Sequence, residues 1–372
     1  MKVGHRQTPH PCHPAHENPL PQTEGVFYLG DPTARSSKIF TVHNTVQKAL
    51  FPVLRRMTDG RFHSGEALAT ALGVSRATIF NAMAQAESLG LSIHAIRGRG
   101  YRIAHPVEWL DAELVASHLG ALASGFDVRV HESLESTNTA LMAAAHDGAP
   151  HGTVFCCEHQ RGGKGRRGRT WHSALGGSLT FSVLLRADGG LQSLSGLSLA
   201  TGLAIARAVN RYSQHPAALK WPNDILVGYR KLGGILVEVQ GDPNGAAVAV
   251  VGIGLNVRLG AAQRDVVDQA VVDLAEMGST VGRNALLAAC LAELHAVWDR
   301  FAREGFAPLQ GEWCALDAFA GKAVSLTLPD GRHLQGKAAG IDGTGAFLLR
   351  EGENAPVAFN GGEISLRLDR RG

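Results

Sequence analysis

Three things are missing from this chain, and each removes a class of protein. No run of about 18 apolar residues is present, the length a helix needs to cross a lipid core, and Lys2, His5 and Arg6 lead into prolines instead of an apolar signal core. A cytoplasmic protein without a membrane partner is expected. Disulfide grammar is also missing: Cys12, Cys156, Cys157, Cys290 and Cys314 are an odd set with no CxxC pair and no histidine at zinc-finger spacing. The thiols should be reduced and buried, with no structural zinc. Finally, 36 Lys and Arg against 33 Asp and Glu leave a net charge of only +3. That surplus is too small for a protein that coats nucleic acid, so charged partners must be argued from local patches.

What is present is ordinary globular composition, 45% apolar and 19% charged over 372 residues. At roughly 100 to 200 residues per domain this length holds two or three domains, each able to bury a core.

The chain divides into five segments. Residues 1–43 alternate prolines (Pro9, Pro11, Pro14, Pro19, Pro21) with His5, His10, His13 and His16 and offer few aliphatics, which reads as a disordered leader that at most scavenges metal weakly. Residues 44–105 read as a winged helix-turn-helix. Val46, Leu50, Val53, Leu54 and Met57 recur at helical spacing, a second helix opens at Ser64, and Ser75 caps a third that ends at Gly90. Two β-prone stretches then flank the basic tip Arg97-Gly98-Arg99-Gly100. Residues 106–126 form a helical linker that should separate two independently patterned segments. Residues 127–316 alternate strands and helices, and Asp242-Pro243-Asn244-Gly245 marks a hairpin, so the sheet is mixed and the class is α+β. In residues 317–372 short strands broken by dense turns indicate a small β-barrel. No internal repeat is visible.

The most informative segment runs from Gln160 to Trp171. Gly163, Gly165 and Gly168 satisfy G-x-G-x-x-G, but Thr170-Trp171-His172-Ser173 and a strand follow where a dinucleotide fold needs a helix. It is not a Walker A loop either, because Lys164 is followed by Gly165. What remains is a glycine loop with Arg161, Lys164, Arg166, Arg167 and Arg169 and no acid among them. Glycine lets backbone N–H groups approach phosphate oxygens while guanidinium forks bind them, so a polyphosphate is the natural ligand. Charge and glycine alone would equally suit a solvated basic loop. Three further segments favour the ligand. Lys220 ends an apolar strand, where a lysine is costly to bury without an anion. Gly233-Gly234 and Gly252-Ile253-Gly254 open strands to close backbone approach.

Taken together, Glu135-Ser136-Thr137-Asn138, the Gly-Arg loop, Lys220-Trp221-Pro222-Asn223-Asp224, Gly234-Ile235-Leu236-Val237-Glu238, Gly252-Ile253-Gly254-Leu255-Asn256-Val257 and Gly361-Gly362-Glu363-Ile364-Ser365-Leu366-Arg367 resemble biotin protein ligase, in the bacterial bifunctional form that also carries a DNA-binding domain. The resemblance covers about residues 44–370. It implies an SH3-like C-terminal barrel and a two-step reaction. Biotin carboxylate attacks the α-phosphate of Mg-ATP to give biotinyl-5′-AMP, and a lysine of the biotin carboxyl carrier protein of acetyl-CoA carboxylase then takes the acyl group.

Carried over by position, the resemblance assigns Ser136, Thr137, Asn138 and Gln160 to the ureido head of biotin. Lys164, Gly165 and Arg166 would close over the acyl and phosphate groups, and Lys220 would bridge carboxylate and α-phosphate, making Arg166 and Lys220 the catalytic pair. Gly163, Arg167, Arg169, Trp171 and Asn223 would meet ATP, with Trp171 either stacking on adenine or packing under the loop. Lys164 departs from the family, which often has Arg there. No magnesium ligand can be assigned.

Family members place the start of the third helix in the major groove, which here offers Ser75, Arg76, Thr78 and Asn81, with Arg97 and Arg99 on the wing. Residues 44–104 hold eight cations and three acids, a larger surplus than that of the whole chain. Yet the third helix has only Arg76, so a vestigial winged domain stays open beside an operator-binding repressor. Family members also dimerise by pairing sheet edges when the adenylate is bound, and the strand over 247–253 is the expected edge. Two other functions are weighed. A lipoate-protein ligase runs the same reaction on a related fold, and a ligand-sensing transcription factor would bind without chemistry. Polar Ser136 to Asn138 and Gln160 favour biotin over an apolar dithiolane, and the phosphate-directed cations speak against sensing alone.

Overall fold

The computed structural model describes residues 48–372 apart from Asp268, Pro329, residues 361–364 and residues 369–372. The leader and the Gly361-Gly362-Glu363-Ile364 motif lie outside the described residues.

Helix α1 covers residues 48–56. In α2 (Gly65–Leu72) the N-cap Ser64 side chain accepts from Ala67 N, and Gly73 closes the helix at φ 63°, a left-handed conformation suited to glycine. In α3 (Arg76–Ser88) Ser75 caps in the same way, accepting from Thr78 N. Strands β1 (Ile93–Ile96) and β2 (Gly100–Ile103) pair antiparallel, Ile93 opposite Ile103, as the expected wing. The core beneath them holds Leu54, Met57, Leu68, Ile79, Met83 and Ile103.

Two residues from beyond the wing complete that core, Val107 and Leu175. Leu175 is 1% exposed, and its N–H donates to Leu89 O at the end of α3, 3.0 Å away. The expected independence of the segments on either side of the linker is thereby corrected, because the segment following the glycine loop plugs into the winged domain. The linker is pinned as well. Arg283 and Glu158, 3% and 0% exposed, form a buried ion pair at 2.7 Å, and Glu158 also accepts from Leu110 N at 2.6 Å. Asn284 Nδ2 donates to Trp109 O at 2.9 Å. Each charge taken from water is thus met by its opposite or by backbone.

Beyond the linker come α4 (Ala112–Leu119), β3 (Asp127–Leu134), α5 (Thr137–His146), β4 (Thr153–Gln160), β5 (Ser178–Ala187), α6 (Leu197–Asn210), β6 (Ala218–Lys220), β7 (Asp224–Val227), β8 (Arg230–Gly241), β9 (Ala247–Asn256), α7 (Ala261–Asp265), α8 (Arg283–Glu304) and α9 (Gln310–Ala315). The seven-stranded sheet runs β3-β4-β5-β9-β8-β7-β6. Only β3 and β4 pair parallel, so the sheet is mixed.

Strand alternation divides the chemistry of this sheet. In β5, Leu179, Phe181, Val183 and Leu185 enter the main core with α4, α6 and α8. The alternate residues Thr180 and Ser182 turn to the face that α5 covers, where Leu184 packs with Leu141. In β9, Val251, Ile253 and Leu255 face the core while Gly252 and Gly254 take the other side. One face is oil throughout; the other is polar or bare at its centre.

The expected dimer edge is corrected by this order. β9 is hydrogen-bonded along its length to β5 on one side and β8 on the other, so it is interior. The edges are β3 and β6, and β6 is partly covered, since Leu219 N donates to Leu316 O and Ala318 N to Leu219 O. A second sheet follows, β10 (Ala323–Thr327), β11 (His333–Ile341), β12 (Phe347–Arg350), β13 (Val357–Phe359) and β14 (Ser365–Leu368), ordered β13-β12-β11-β10-β14 and antiparallel throughout, the SH3-like unit. Among the described residues no helix is long and apolar enough to cross a membrane.

Candidate active site

The pocket lies on the polar face of the large sheet, over β5, β9 and β8, with a cavity volume of about 140 Å³. The start of α5 closes one end. Ser136, Thr137, Asn138 and Gln160 are between 2% and 8% exposed. Thr137 donates to Gln160 Oε1 through its N–H (2.7 Å) and its hydroxyl (3.1 Å). Ser182 Oγ lies 2.7 Å from Thr137 Oγ1 and 2.6 Å from Asn138 Oδ1. Asn138 Nδ2 donates to Glu238 Oε2 at 2.8 Å and Leu236 O at 3.1 Å. These bonds meet the need of buried polar groups for partners and fix each side chain's orientation.

Two bare positions let these groups reach the sheet. A Cβ on Gly252 would sit 2.2 Å from Asn138 Oδ1, and one on Gly254 would sit 2.5 Å from Trp171 Cε2. Trp171 therefore lies flat on the β9 backbone, with its Nε1 buried and without a partner among the described residues.

The glycine loop covers the other end. It folds back on itself, with Trp171 N donating to Gly163 O at 2.8 Å and Gly165 N to Arg169 O at 2.7 Å. Lys164, Arg166, Arg167 and Arg169 line the pocket. Arg161 does not; it turns outward to Glu135 (3.4 Å) and Ser133 (3.1 Å). Arg166 Nη1 donates to Asn223 Oδ1 at 3.3 Å, and burial pulls its guanidinium below the ordinary arginine value against the pull of Asp224.

Beneath the loop stands a lysine–carboxylate–lysine cluster. Asp224 takes Lys231 Nζ at 2.6 Å on one oxygen and Lys220 Nζ at 3.2 Å on the other. Burial pushes the Asp224 carboxyl up, yet Lys231 and Lys220 together hold it below the usual carboxylate range. For Lys220 burial dominates, pulling the ammonium below the ordinary lysine value while Asp224 opposes the shift. Two cations sharing one anion leave a net positive charge facing the cavity.

All the residues expected at biotin and ATP line this pocket except Gly163, which instead packs against Trp171 O. Lys231, Ser182 and Glu238 have no role assigned from the sequence. For Ser182 a signal existed, since Ser178, Thr180 and Ser182 alternate with large apolar residues in a strand buried on both faces. Lys231 lies two positions before the Gly233-Gly234 pair, in the same strand β8.

The residues expected at DNA divide between α3, with Ser75, Arg76, Thr78 and Asn81 at its start, and the turn between β1 and β2, with Arg97 and Arg99. Arg99 and Arg102 both lie over the Phe62 ring, 4.4 and 4.9 Å from its centroid, which draws the wing's side chains against the domain body.

Residues 130–256 match the biotin/lipoate A/B protein ligase family, residues 319–367 the biotin protein ligase C-terminal domain, and residues 53–102 a helix-turn-helix domain. The chain is 37% identical over 311 residues to the bifunctional ligase/repressor BirA of Salmonella typhimurium, covering 84% of this chain and 95% of that relative. It is 34% identical over 265 residues to the biotin–[acetyl-CoA-carboxylase] ligase of Mycobacterium tuberculosis, covering 69% and 96%. A solved biotin protein ligase from Aquifex aeolicus in complex with biotin and ATP aligns with a TM-score of 0.56 at 26% identity, over 65% of this chain and 99% of that one. With three domains in matching order, a relative spanned almost from end to end and a pocket of the right polarity, the chain belongs to the biotin protein ligases, in the branch that joins the ligase to a helix-turn-helix domain.

Proposed function

We propose that the protein activates biotin with ATP and passes it to a lysine of a biotin carboxyl carrier protein, and that its winged domain represses transcription at an operator. The observation that carries the ligase reading is the meeting, in one pocket, of a neutral hydrogen-bonded end and a cationic end. Biotin has the same polarity, a neutral ureido ring at one end and a carboxylate at the other. In the first step a carboxylate oxygen attacks the α-phosphorus, the bond to the bridging oxygen breaks, and pyrophosphate leaves. Both reactants are anions, so positioned cations lower the barrier by holding them together and neutralising developing charge. Lys220 and Arg166 take that role, Lys231 with Asp224 keeps Lys220 in place, and Lys164, Arg167 and Arg169 meet the phosphates. In the second step the neutral carrier amine attacks the acyl carbon, AMP leaves, and the amine's proton goes to solvent.

Magnesium enters with the nucleotide in this reading. Asp224 is the only carboxylate among the described lining residues, and two lysines already occupy its oxygens. The reaction is placed in the cytoplasm, where ATP is supplied. A homodimer of the adenylate-bound form would pair through β3, the edge left open once β9 is interior; sedimentation velocity with and without biotin and ATP should show adenylate-dependent dimers, and a species that stays monomeric in both would remove them.

Pyrophosphate release tests the ligase reading. It should require biotin and Mg-ATP together, and mass spectrometry should then show one biotinylated lysine on an added carrier domain. Release with lipoate in place of biotin would move the assignment to the lipoate ligases.

A further inference from the structure

Helix α3 carries an exposed aromatic side chain that neither the ligase chemistry nor the expected phosphate contacts use. Ile79, Ala82, Met83 and Ala86 bury one face of the helix in the winged-domain core. The opposite face turns Ala77, Phe80, Asn81 and Ala84 to solvent, and Phe80 is 61% exposed. Spacings of three and four residues place these side chains on one stripe.

A single exposed apolar residue is common and by itself means little. Position and surroundings distinguish this one. The neighbours along its stripe are alanines, so the ring stands above the helix surface. It lies in the first half of the second helix of a helix-turn-helix, the part that faces base edges in that motif. Past Arg76 the stripe holds no Lys or Arg, and other arginines of the winged domain are engaged elsewhere, Arg55 with Glu132 and the Trp109 ring, Arg99 and Arg102 over the Phe62 ring. Beyond Arg76 this face therefore has no cation of its own to meet phosphates. The hydroxyls of Ser75 and Thr78 are engaged in the helix cap, Thr78 N donating to Ser75 Oγ at 3.0 Å with the two oxygens 2.9 Å apart. What is left to read bases, beyond Arg76 at the helix start, is Asn81, Phe80 and the two alanines.

We propose that α3 reads A·T pairs in the major groove, with Phe80, flanked by Ala77 and Ala84, packed against thymine 5-methyl groups and the Asn81 carboxamide paired with N6 and N7 of a neighbouring adenine. Thymine is the base that presents a methyl in that groove, and a carboxamide matches adenine's donor and acceptor together. Guanine, which takes a bidentate Arg or Lys, has only Arg76 to meet it. The half-site is thus rich in A·T where the helix enters, with sequence read by apolar contact more than by charge.

This inference rests on DNA binding by the winged domain, and the experiment separates the two. Duplexes bound by the full-length protein with biotin and Mg-ATP are selected from a random-sequence library. Fluorescence anisotropy is then read on the enriched duplex and on copies in which each thymine in turn is deoxyuridine, which removes only the methyl. The expected result is a roughly three- to fivefold loss of affinity at one or two thymines per half-site, the size expected for one buried methyl. Phe80→Ala should bind more weakly and lose that sensitivity, Phe80→Leu should keep part of it, and Asn81→Ala should relax the choice at the adjacent adenine. Unchanged biotin-dependent pyrophosphate release in each variant shows that the fold is intact. No enriched sequence at all would overturn the DNA-binding reading and this inference with it. An enriched site indifferent to every thymine replacement, or Phe80→Ala with wild-type sensitivity, would overturn the role of Phe80 alone. Loss of self-association in Phe80→Ala with sensitivity retained would make the ring a protein contact and overturn it too.

Discussion

The two ends of the ligand pocket are built on opposite plans. At the neutral end Ser136, Thr137, Asn138, Gln160 and Ser182 are all under a tenth exposed; Ser136 caps α5 by accepting from Thr139 N, and the other four are tied to one another or to β8. At the cationic end Lys164, Arg167 and Arg169 have no side-chain hydrogen bond or ion pair among the described residues, and Lys220 and Lys231 divide a single carboxylate. Neutral donors and acceptors can satisfy each other before a ligand arrives, so that end is set in advance and binding there costs little ordering. Like charges repel, so in the proposed reaction an anion would complete the arrangement at this end. In that proposed reaction, recognition is stored at one end of the pocket and charge stabilisation at the other.

Substitutions can break this contrast, and the largest effect should come from Lys220→Ala. Removing a positioned charge should slow biotin-dependent pyrophosphate release by about two to four orders of magnitude, with a much smaller change in the KM for biotin. Arg166→Ala should slow pyrophosphate release less than Lys220→Ala does and act mainly on retention, raising the rate at which adenylate escapes by about tenfold to a hundredfold, as loss of a charged hydrogen bond implies. Biotinylation of bystander lysines on an added unrelated protein would report that leak. Equal losses of rate and retention in both variants would dissolve the division of labour between them.

Asp224→Asn sharpens the comparison through pH. In the proposed reaction Lys220 must be charged to meet carboxylate and phosphate, so activity should be present below its pKa and fall as pH rises through it. Burial already sets that pKa below the ordinary lysine value, and Asp224 opposes the shift. Without the carboxylate the pKa drops further, and the alkaline limb of the rate profile should move to lower pH by about a unit or more. A limb that stays in place would mean that Lys220 is not the titrating group. The smallest effect belongs to the neutral end. Ser182→Ala leaves Thr137 and Asn138 short of a buried partner, which should raise the KM for biotin by about five- to tenfold while kcat stays near wild type.

The division between legible and hidden residues follows the same physics. Gly252, Gly254, Lys220 and the cations of the glycine loop stood out from their strands by backbone demand or by charge, and were read as a site only in combination. Local helix signals at Ser64 and Ser75 were legible too, because a cap is made within a few residues. Partners made by the sheet were not. Ser182 meets Asn138 from 44 positions away and Asn138 meets Glu238 from 100, distances that no periodicity encodes. The misplaced edge has a related cause. The apolar run of β9 was visible, but an interior strand and an edge strand differ in their neighbours, and strand order comes from the whole sheet.

Leu175 bears on how the protein can be inherited or rebuilt. Its side chain fills the core of the winged domain from a segment far along the chain, so a fragment ending after the wing would carry an open seat where an aliphatic group belongs. The DNA-binding half is therefore not a detachable cassette. A ligase that discards its winged domain must also replace an exposed leucine beside its own active-site loop, and one that acquires a new winged domain must supply a residue that fits it. Within this chain, residues 48–107 and Leu175 form one unit of exchange, and a chimaera joined at the linker should be designed to carry both.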